Sequence, residues 1–125
     1  MTGIGIPQKF RKGGEKRAKY GNQRIELGGK TFDSRKEFGR YQVLAAMERG
    51  GVISDLRTQV AFVLAEAVRI DGRKKPALRY VADFVYQRDG KRIVEDVKSA
   101  ITRKDPVYRI KRHLLALQGI DITEV

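Results

Sequence analysis

Apolar and polar positions divide the chain into compact elements from residue 22 onward. Arg24-Ile25-Glu26-Leu27 alternates and runs into Gly28-Gly29, which predicts a short strand and the turn of a small hairpin. Ser34 stands three residues before Glu37, a capping-box spacing, and the helix it opens should run to about Arg49, where Gly50-Gly51 ends it. Gln59–Ala65 is an apolar run with strand character, and residues 69–77 read as a basic loop. Arg79–Tyr86 and Lys91–Lys98 read as two strands joined at Asp89-Gly90, a two-residue hairpin signal. Asp105-Pro106 opens a second helix, with Asp suited to the N-cap and Pro to the first helical position, and Gly119 closes it. Ile120–Val125 supplies a final short strand. After the first hairpin the order is helix, three strands, helix, strand, an α/β fold with a mixed (α+β) sheet. Residues 1–20 show neither helical nor strand period and read as a flexible basic arm ahead of one domain over residues 21–125.

Composition narrows the classes. The 125 residues suffice for one core, and the 41% apolar content is too high for a wholly disordered chain. No stretch approaches the ~20 consecutive apolar residues of a transmembrane helix, and the N-terminus has no hydrophobic signal segment. A cytoplasmic protein with no membrane partner is expected. The absence of cysteine excludes disulfides, thiol catalysis and cysteine-ligated metals, and the single histidine, His113, excludes multi-histidine metal sites. The formal net charge of +12 points to a polyanionic partner. Residues 1–20 carry six basic residues, Lys9, Arg11 and Lys12 among them, against one acid, so most of the excess belongs to the folded part. A solubilising tail and a nucleic-acid arm both satisfy that composition.

The hairpin carries the candidate chemistry. With Asp89-Gly90 as the turn, Arg88 pairs with Lys91, and counting back sets Asp83 opposite Asp96, with Lys98 on the same face. Like charges so opposed, with Cβ atoms about 5 Å apart, destabilise a sheet. A divalent cation gives them a reason, because Mg²⁺ takes one or two carboxylates together with phosphate and water oxygens. An exposed sheet face with an incidental Asp–Lys pair is the alternative. The other face pairs Tyr86 with Ile93, Phe84 with Glu95 and Ala82 with Val97, and should lie on a core. Wound as a helix, residues 35–49 set Glu37 on the core stripe with Tyr41, Leu44 and Ala45, and Arg35, Lys36 and Arg40 away from it. A carboxylate there needs a partner, and both a metal and the cap with Ser34 supply one. In the second helix, Val107, Ile110, Leu114 and Leu117 form the apolar stripe, with Arg109 and Arg112 on the far side, facing phosphate or solvent. His113 borders that stripe as a structural histidine. Gly28-Gly29-Lys30-Thr31 is similar to the end of a phosphate-binding loop, but Arg24 stands where that motif needs glycine and no helix starts at Lys30, so it reads as a turn.

Ala82-Asp83-Phe84, the hairpin, and Glu95-Asp96-Val97-Lys98 together resemble the PD-(D/E)xK nuclease signature, with Ala82 in place of its proline. The element order is also similar to that superfamily's common core, a restriction-endonuclease-like fold. Glu37 matches the first-helix glutamate of several branches, Holliday-junction resolvases among them. More closely, the chain resembles a family of small phage-encoded proteins of this superfamily over roughly residues 22–125, through Phe32–Glu37, Tyr80–Tyr86, Glu95–Lys98 and Tyr108–Lys111. The resemblance implies a Mg²⁺-dependent DNA endonuclease, with Mn²⁺ as a substitute, working in the cytoplasm of a bacterial host. Asp83 and Asp96 would hold the metal, with Glu37 and the Val97 carbonyl as further ligands. Lys98 would orient water or stabilise developing negative charge. Gln59 is a candidate for positioning water or phosphate, with a polar residue at the core edge as the alternative reading. Arg73, Lys74, Lys75, Arg109 and Arg112, with Lys9, Arg11 and Lys12 of the arm, would bind the DNA backbone. The expected substrate is branched duplex such as a Holliday junction, and symmetric cutting of two strands implies a homodimer. A non-catalytic DNA- or RNA-binding protein on the same fold satisfies the charge but gives no reason for the opposed aspartates.

Overall fold

A computed structural model of the chain describes residues 24–125. The predicted arm over residues 1–20, with Lys9, Arg11 and Lys12, lies outside the described residues. The chain divides into two units, one ending at Gly39 and the other spanning Arg40–Val125.

In the first unit, β1 (Ile25–Leu27) and β2 (Lys30–Phe32) pair antiparallel. The two turn residues, Gly28 and Gly29, have φ of 58° and 81°. This is the primed turn whose twist matches that of the flanking strands, and glycine enters it without a Cβ clash. Helix α1 (Arg35–Arg49) starts here. Ser34 Oγ accepts the Glu37 N–H at 3.1 Å, and Glu37 Oε1 accepts the Asp33 N–H at 3.3 Å. The predicted cap is therefore formed, its return bond going to Asp33, and Phe32 and Phe38 meet edge to face beside it, ring centroids 5.4 Å apart.

In the second unit α1 ends at Gly51 (φ 79°), where the Val52 N–H reaches the Met47 carbonyl and the Gly51 N–H the Glu48 carbonyl, a Schellman closure. Next come β3 (Ser54–Ala65), β4 (Val68–Ile70), β5 (Arg73–Lys75), β6 (Leu78–Arg88) and β7 (Lys91–Asp96). A short helix α2 (Ala100–Arg103), helix α3 (Pro106–Leu117) and β8 (Ile122–Glu124) complete the chain. Asp105 caps α3 with Pro106 in its first turn, and Gly119 (φ 81°) closes it in the same way as Gly51 closes α1. The main sheet has the order β3-β6-β7-β8, antiparallel except for the parallel β7–β8 pair that the α3 crossover permits. The β4–β5 pair forms a separate two-stranded ribbon.

Both faces of the main sheet are covered. On one, Tyr80, Ala82, Val85, Val94 and Ile122 pack with Tyr108 and Leu115 of α3 and with Ile120. On the other, Tyr41 of α1 stacks on Phe84 and Arg40 reaches Glu95. The buried set on the α3 face runs Tyr80, Ala82, then Val85, so the two-residue alternation slips at Asp83. Gln59, between the pairs Thr58↔Phe84 and Val60↔Ala82, has a φ of 54° in the middle of β3.

Several expectations are corrected. Strand β3 begins at Ser54 rather than Gln59, which places Gln59 inside the strand. Residues 69–77 are not a loop: Asp71-Gly72 (φ 52° and 75°) makes the same primed turn as Asp89-Gly90 (φ 51° and 76°) and closes the ribbon. Strand β7 stops at Asp96, so Lys98 lies beyond it. Arg40 turns inward instead of away, because buried Glu95 draws its guanidinium. The stripe Val107, Ile110 and Leu117 is exposed, and α3 packs through Tyr108 and Leu115. Tyr108 and Leu115, seven residues apart, lie on one face of the helix, and that face rather than the aliphatic stripe meets the core.

Candidate functional site

The β6–β7 register is the one the turn dictates: Arg88↔Lys91, Gln87↔Arg92, Tyr86↔Ile93, Val85↔Val94 and Phe84↔Glu95. One step further, Asp83 and Asp96 replace ladder bonds with side-chain bonds. The Asp83 N–H donates to Asp96 Oδ1 at 2.8 Å, and the Val97 N–H donates to Asp83 Oδ2 at 2.9 Å. Each carboxylate thus takes an amide N–H from the opposing strand, which offsets part of the cost of their mutual repulsion.

Asp96 is 0% exposed. The Tyr80 hydroxyl donates to its Oδ2, and Lys98 Nζ stands 3.8 Å from the same oxygen. The ammonium is enclosed by two aromatic rings, 5.6 Å from the Tyr80 centroid and 4.5 Å from that of Tyr108. Tyr108 is in turn fixed by its hydroxyl, which donates to Glu124 Oε2 at 2.6 Å. Arg112 reaches the same oxygen at 3.0 Å, and Arg103 lies 3.6 Å from Oε1. Burial pushes the Asp96 carboxyl up to about 6; Lys98 and the Asp83 N–H pull it down, and Glu124 pushes it further up. Burial and the bond to Glu124 raise the Tyr108 phenol well above its ordinary value.

A second buried carboxylate lies across the sheet. Glu95 takes a two-pronged bond from Arg40, Nε to Oε1 at 2.8 Å and Nη2 to Oε2 at 2.6 Å, and a third from the Tyr86 hydroxyl. Burial and this bond push the Tyr86 phenol up to about 12. The hairpin register sets Glu95 on an apolar face, and a carboxylate there demands a partner, the signal that points to a cation such as Arg40.

Asp83, Asp96, Lys98 and the Val97 backbone come together at the end of the hairpin. The β3–β6 register sets Gln59 across from Asp83. Glu37 is buried in the first unit, in the α1 cap. Arg73, Lys74 and Lys75 are exposed on the ribbon, and Arg109 is exposed on α3. Arg112 does not lie on a free outer face: its guanidinium is engaged by Glu124 and by the Ile122 carbonyl. His113 is exposed rather than structural. Tyr80 and Tyr108 open two of the stretches that carry the family resemblance, but no local pattern assigns them, Arg103 or Glu124 a role, because those roles depend on contacts between distant elements.

Among the described residues, no group of three or more Asp, Glu or His side chains is placed to hold a metal ion. The side-chain donors at the hairpin end are the two carboxylates of Asp83 and Asp96, all hard oxygens. Such a set suits a cation of the Mg²⁺ type, which keeps several waters and needs only one or two protein carboxylates.

Fold and site together define a mixed-sheet α/β protein with two cross-strand carboxylates beside a lysine held between tyrosine rings. The chain belongs to the family described as Protein of unknown function (DUF1064), whose family model matches residues 17–124. No curated protein and no solved structure matches it. No helix among the described residues is long and apolar enough to cross a membrane.

Proposed function

We propose that the chain is a metal-dependent DNA endonuclease with Asp83, Asp96 and Lys98 as its catalytic set. The observation that carries the reading is their juxtaposition: Asp83 and Asp96 are joined by side chain–backbone bonds just past the paired part of the hairpin, with an ammonium 3.8 Å from the buried carboxylate. The element order and the mixed sheet agree with the core that the PD-(D/E)xK resemblance implies. Asp83 and Asp96, with the Val97 carbonyl, would hold Mg²⁺ or Mn²⁺. When bound, such an ion lowers the pKa of a water and offsets charge on the phosphate.

This chain's own residues do the rest. Asp83 and Asp96 hold each other's strands through backbone N–H bonds, so their carboxylates are fixed before substrate arrives. Tyr80 orients Asp96. Lys98, its side chain only 15% exposed, offers a fixed positive charge to the developing charge on a phosphodiester. The basic surface retains the DNA backbone without reading sequence, which suits branched DNA. Symmetric cutting of a four-way junction requires two active sites and hence a homodimer.

One observation favours a second reading, a non-catalytic DNA-binding protein. Each aspartate already accepts a backbone N–H, so both have a structural use. Cleavage of end-labelled four-way junction, flap and linear duplex separates the two. Each substrate is incubated with Mg²⁺, Mn²⁺ or EDTA, beside Asp83→Asn and Lys98→Ala. The expected outcome is metal-dependent cutting of branched DNA, lost at least about a hundredfold in both variants with folding retained. Tight binding with no cutting of any substrate would leave the binder.

A further inference from the structure

We propose that the β4–β5 ribbon is a DNA-reading wing that enters the major groove of duplex DNA by the face bearing Val68, Ile70, Arg73 and Lys75. This inference rests on the DNA-binding part of the reading above and is independent of the catalytic part.

The ribbon belongs to no core. It forms its own two-stranded sheet, and every residue from 65 to 76 is exposed. Val68 and Ile70 remain 54% and 51% exposed. The ribbon continues the β3–β6 pair past Ala65↔Leu78, so it is tethered at its base while its own residues stay outside any core. The pairs are Val68↔Lys75, Arg69↔Lys74 and Ile70↔Arg73. Side chains of paired residues share a face, so Val68, Ile70, Arg73 and Lys75 lie on one side and Arg69 and Lys74 on the other. Arg69 and Lys74 are like charges directly opposed, which weakens the free ribbon. Four cations stand on these two strands, against Asp71 in the turn. A neighbouring polyanion relieves that repulsion.

The working face is amphipathic across its width. Its β4 edge carries two aliphatic side chains and its β5 edge two cations, and the face forms a recess lined by Ile70, Asp71, Arg73 and Lys75. Aliphatic groups meet base edges such as the thymine methyl, and Arg and Lys meet guanine edges or phosphates. Asp71 suits a groove floor too, because cytosine offers an amino donor there. The tip is stiffened by the primed turn at Asp71-Gly72 and by Arg69, whose Nη2 donates to the Gly72 carbonyl at 2.9 Å. Size decides between nucleic acids. Paired strands about 4.8 Å apart, with their side chains, fit the roughly 12 Å major groove of B-form DNA. The major groove of A-form RNA is too narrow for side chains to read.

Fluorescence anisotropy in EDTA, with labelled DNA and RNA duplexes of one sequence at several salt concentrations, tests the proposal without catalysis. The proteins are the full chain, Arg73→Ala with Lys75→Ala, Val68→Ser with Ile70→Ser, and a charge-matched control, Arg88→Ala with Lys91→Ala at the other turn. Circular dichroism checks that each retains the fold. The cation pair on the ribbon should cost at least about tenfold in DNA affinity and flatten the log–log salt dependence by about two. The control should cost less, and the apolar pair should weaken DNA binding with no change of slope. Equal losses for the ribbon and control pairs, or equal losses on DNA and RNA, would overturn the wing. Failure of the metal-dependent cleavage assay with these binding results intact would remove the nuclease and leave the wing standing.

Discussion

Asp96 has no exposed surface of its own and lies beside a lysine and a tyrosine hydroxyl. Burial lifts its folded-state pKa from 3.8 to about 6. The consequence for stability has a definite sign. Below pH 3.8 the group is protonated in both states. Between there and pH 6 the unfolded chain releases its proton while the folded chain keeps it. Stability contributed at low pH is therefore lost as pH rises through this window, by about 3 kcal/mol in all, since each tenfold change in proton affinity is worth about 1.4 kcal/mol. Asp96→Asn lacks the titration. Urea denaturation of both proteins from pH 4 to 7 should show the free-energy gap moving in favour of the Asn variant up to about pH 6, then levelling. A gap independent of pH would mean that Asp96 is not a buried carboxyl of raised pKa. Any divalent cation at this site needs the ionised form, so stabilisation by Mn²⁺ should grow over the same window.

Helix α1 is tied to β7, the strand that carries Asp96, by the Arg40–Glu95–Tyr86 cluster. Removing Arg40 leaves the buried Glu95 carboxyl without its cation and with the Tyr86 phenol beside it. Arg40→Met should therefore cost about 3 kcal/mol, and pairing it with Glu95→Gln should recover part of the loss, because the neutral amide no longer needs a cation. A double-mutant cycle by chemical denaturation measures this; additive losses would show that the cluster carries no coupling. The same cluster illustrates what a sequence can disclose. Features encoded within a few residues were legible: the Ser34–Glu37 cap, the Asp105-Pro106 start, and the Asp89-Gly90 turn. That turn fixed the register as far as Phe84↔Glu95; beyond it Asp83 and Asp96 meet through side chain–backbone bonds instead of as a ladder pair. Arg40 and Glu95 stand 55 positions apart, and no local spacing reports such a pair. The Asp71-Gly72 turn carries the same dipeptide signal, but the cations around it mask it. The α3 stripe misleads because apolar spacing records where a helix could bury a face. Here Lys98 and Glu124 engage Tyr108, which is buried, while Arg112 reaches Glu124 from a half-exposed position.

At the scale of the molecule, 27 basic residues against 15 acidic ones make the folded state repel itself. Screening shortens the reach of that repulsion from about 10 Å at 0.1 M salt to about 3 Å at 1 M. The protein alone should therefore melt at a higher temperature as NaCl rises from 0.05 to 0.5 M. Duplex DNA acts in the opposite sense. If the proposed function holds, DNA binds the folded state and raises the melting temperature by mass action, through counterion release that high salt suppresses. The two melting curves, with and without a saturating amount of duplex, should be far apart at low salt and converge at 0.5 M. Differential scanning fluorimetry over that range reads both effects in one experiment. A DNA increment that persists at 0.5 M salt would mean that binding rests on contacts other than phosphate neutralisation. A melting temperature that falls with salt in the protein alone would mean that ion pairs such as Arg40–Glu95 and Arg112–Glu124 outweigh the net repulsion. Convergence of the two curves would tie the excess charge to a polyanion, the partner that the proposed site and the proposed wing both require.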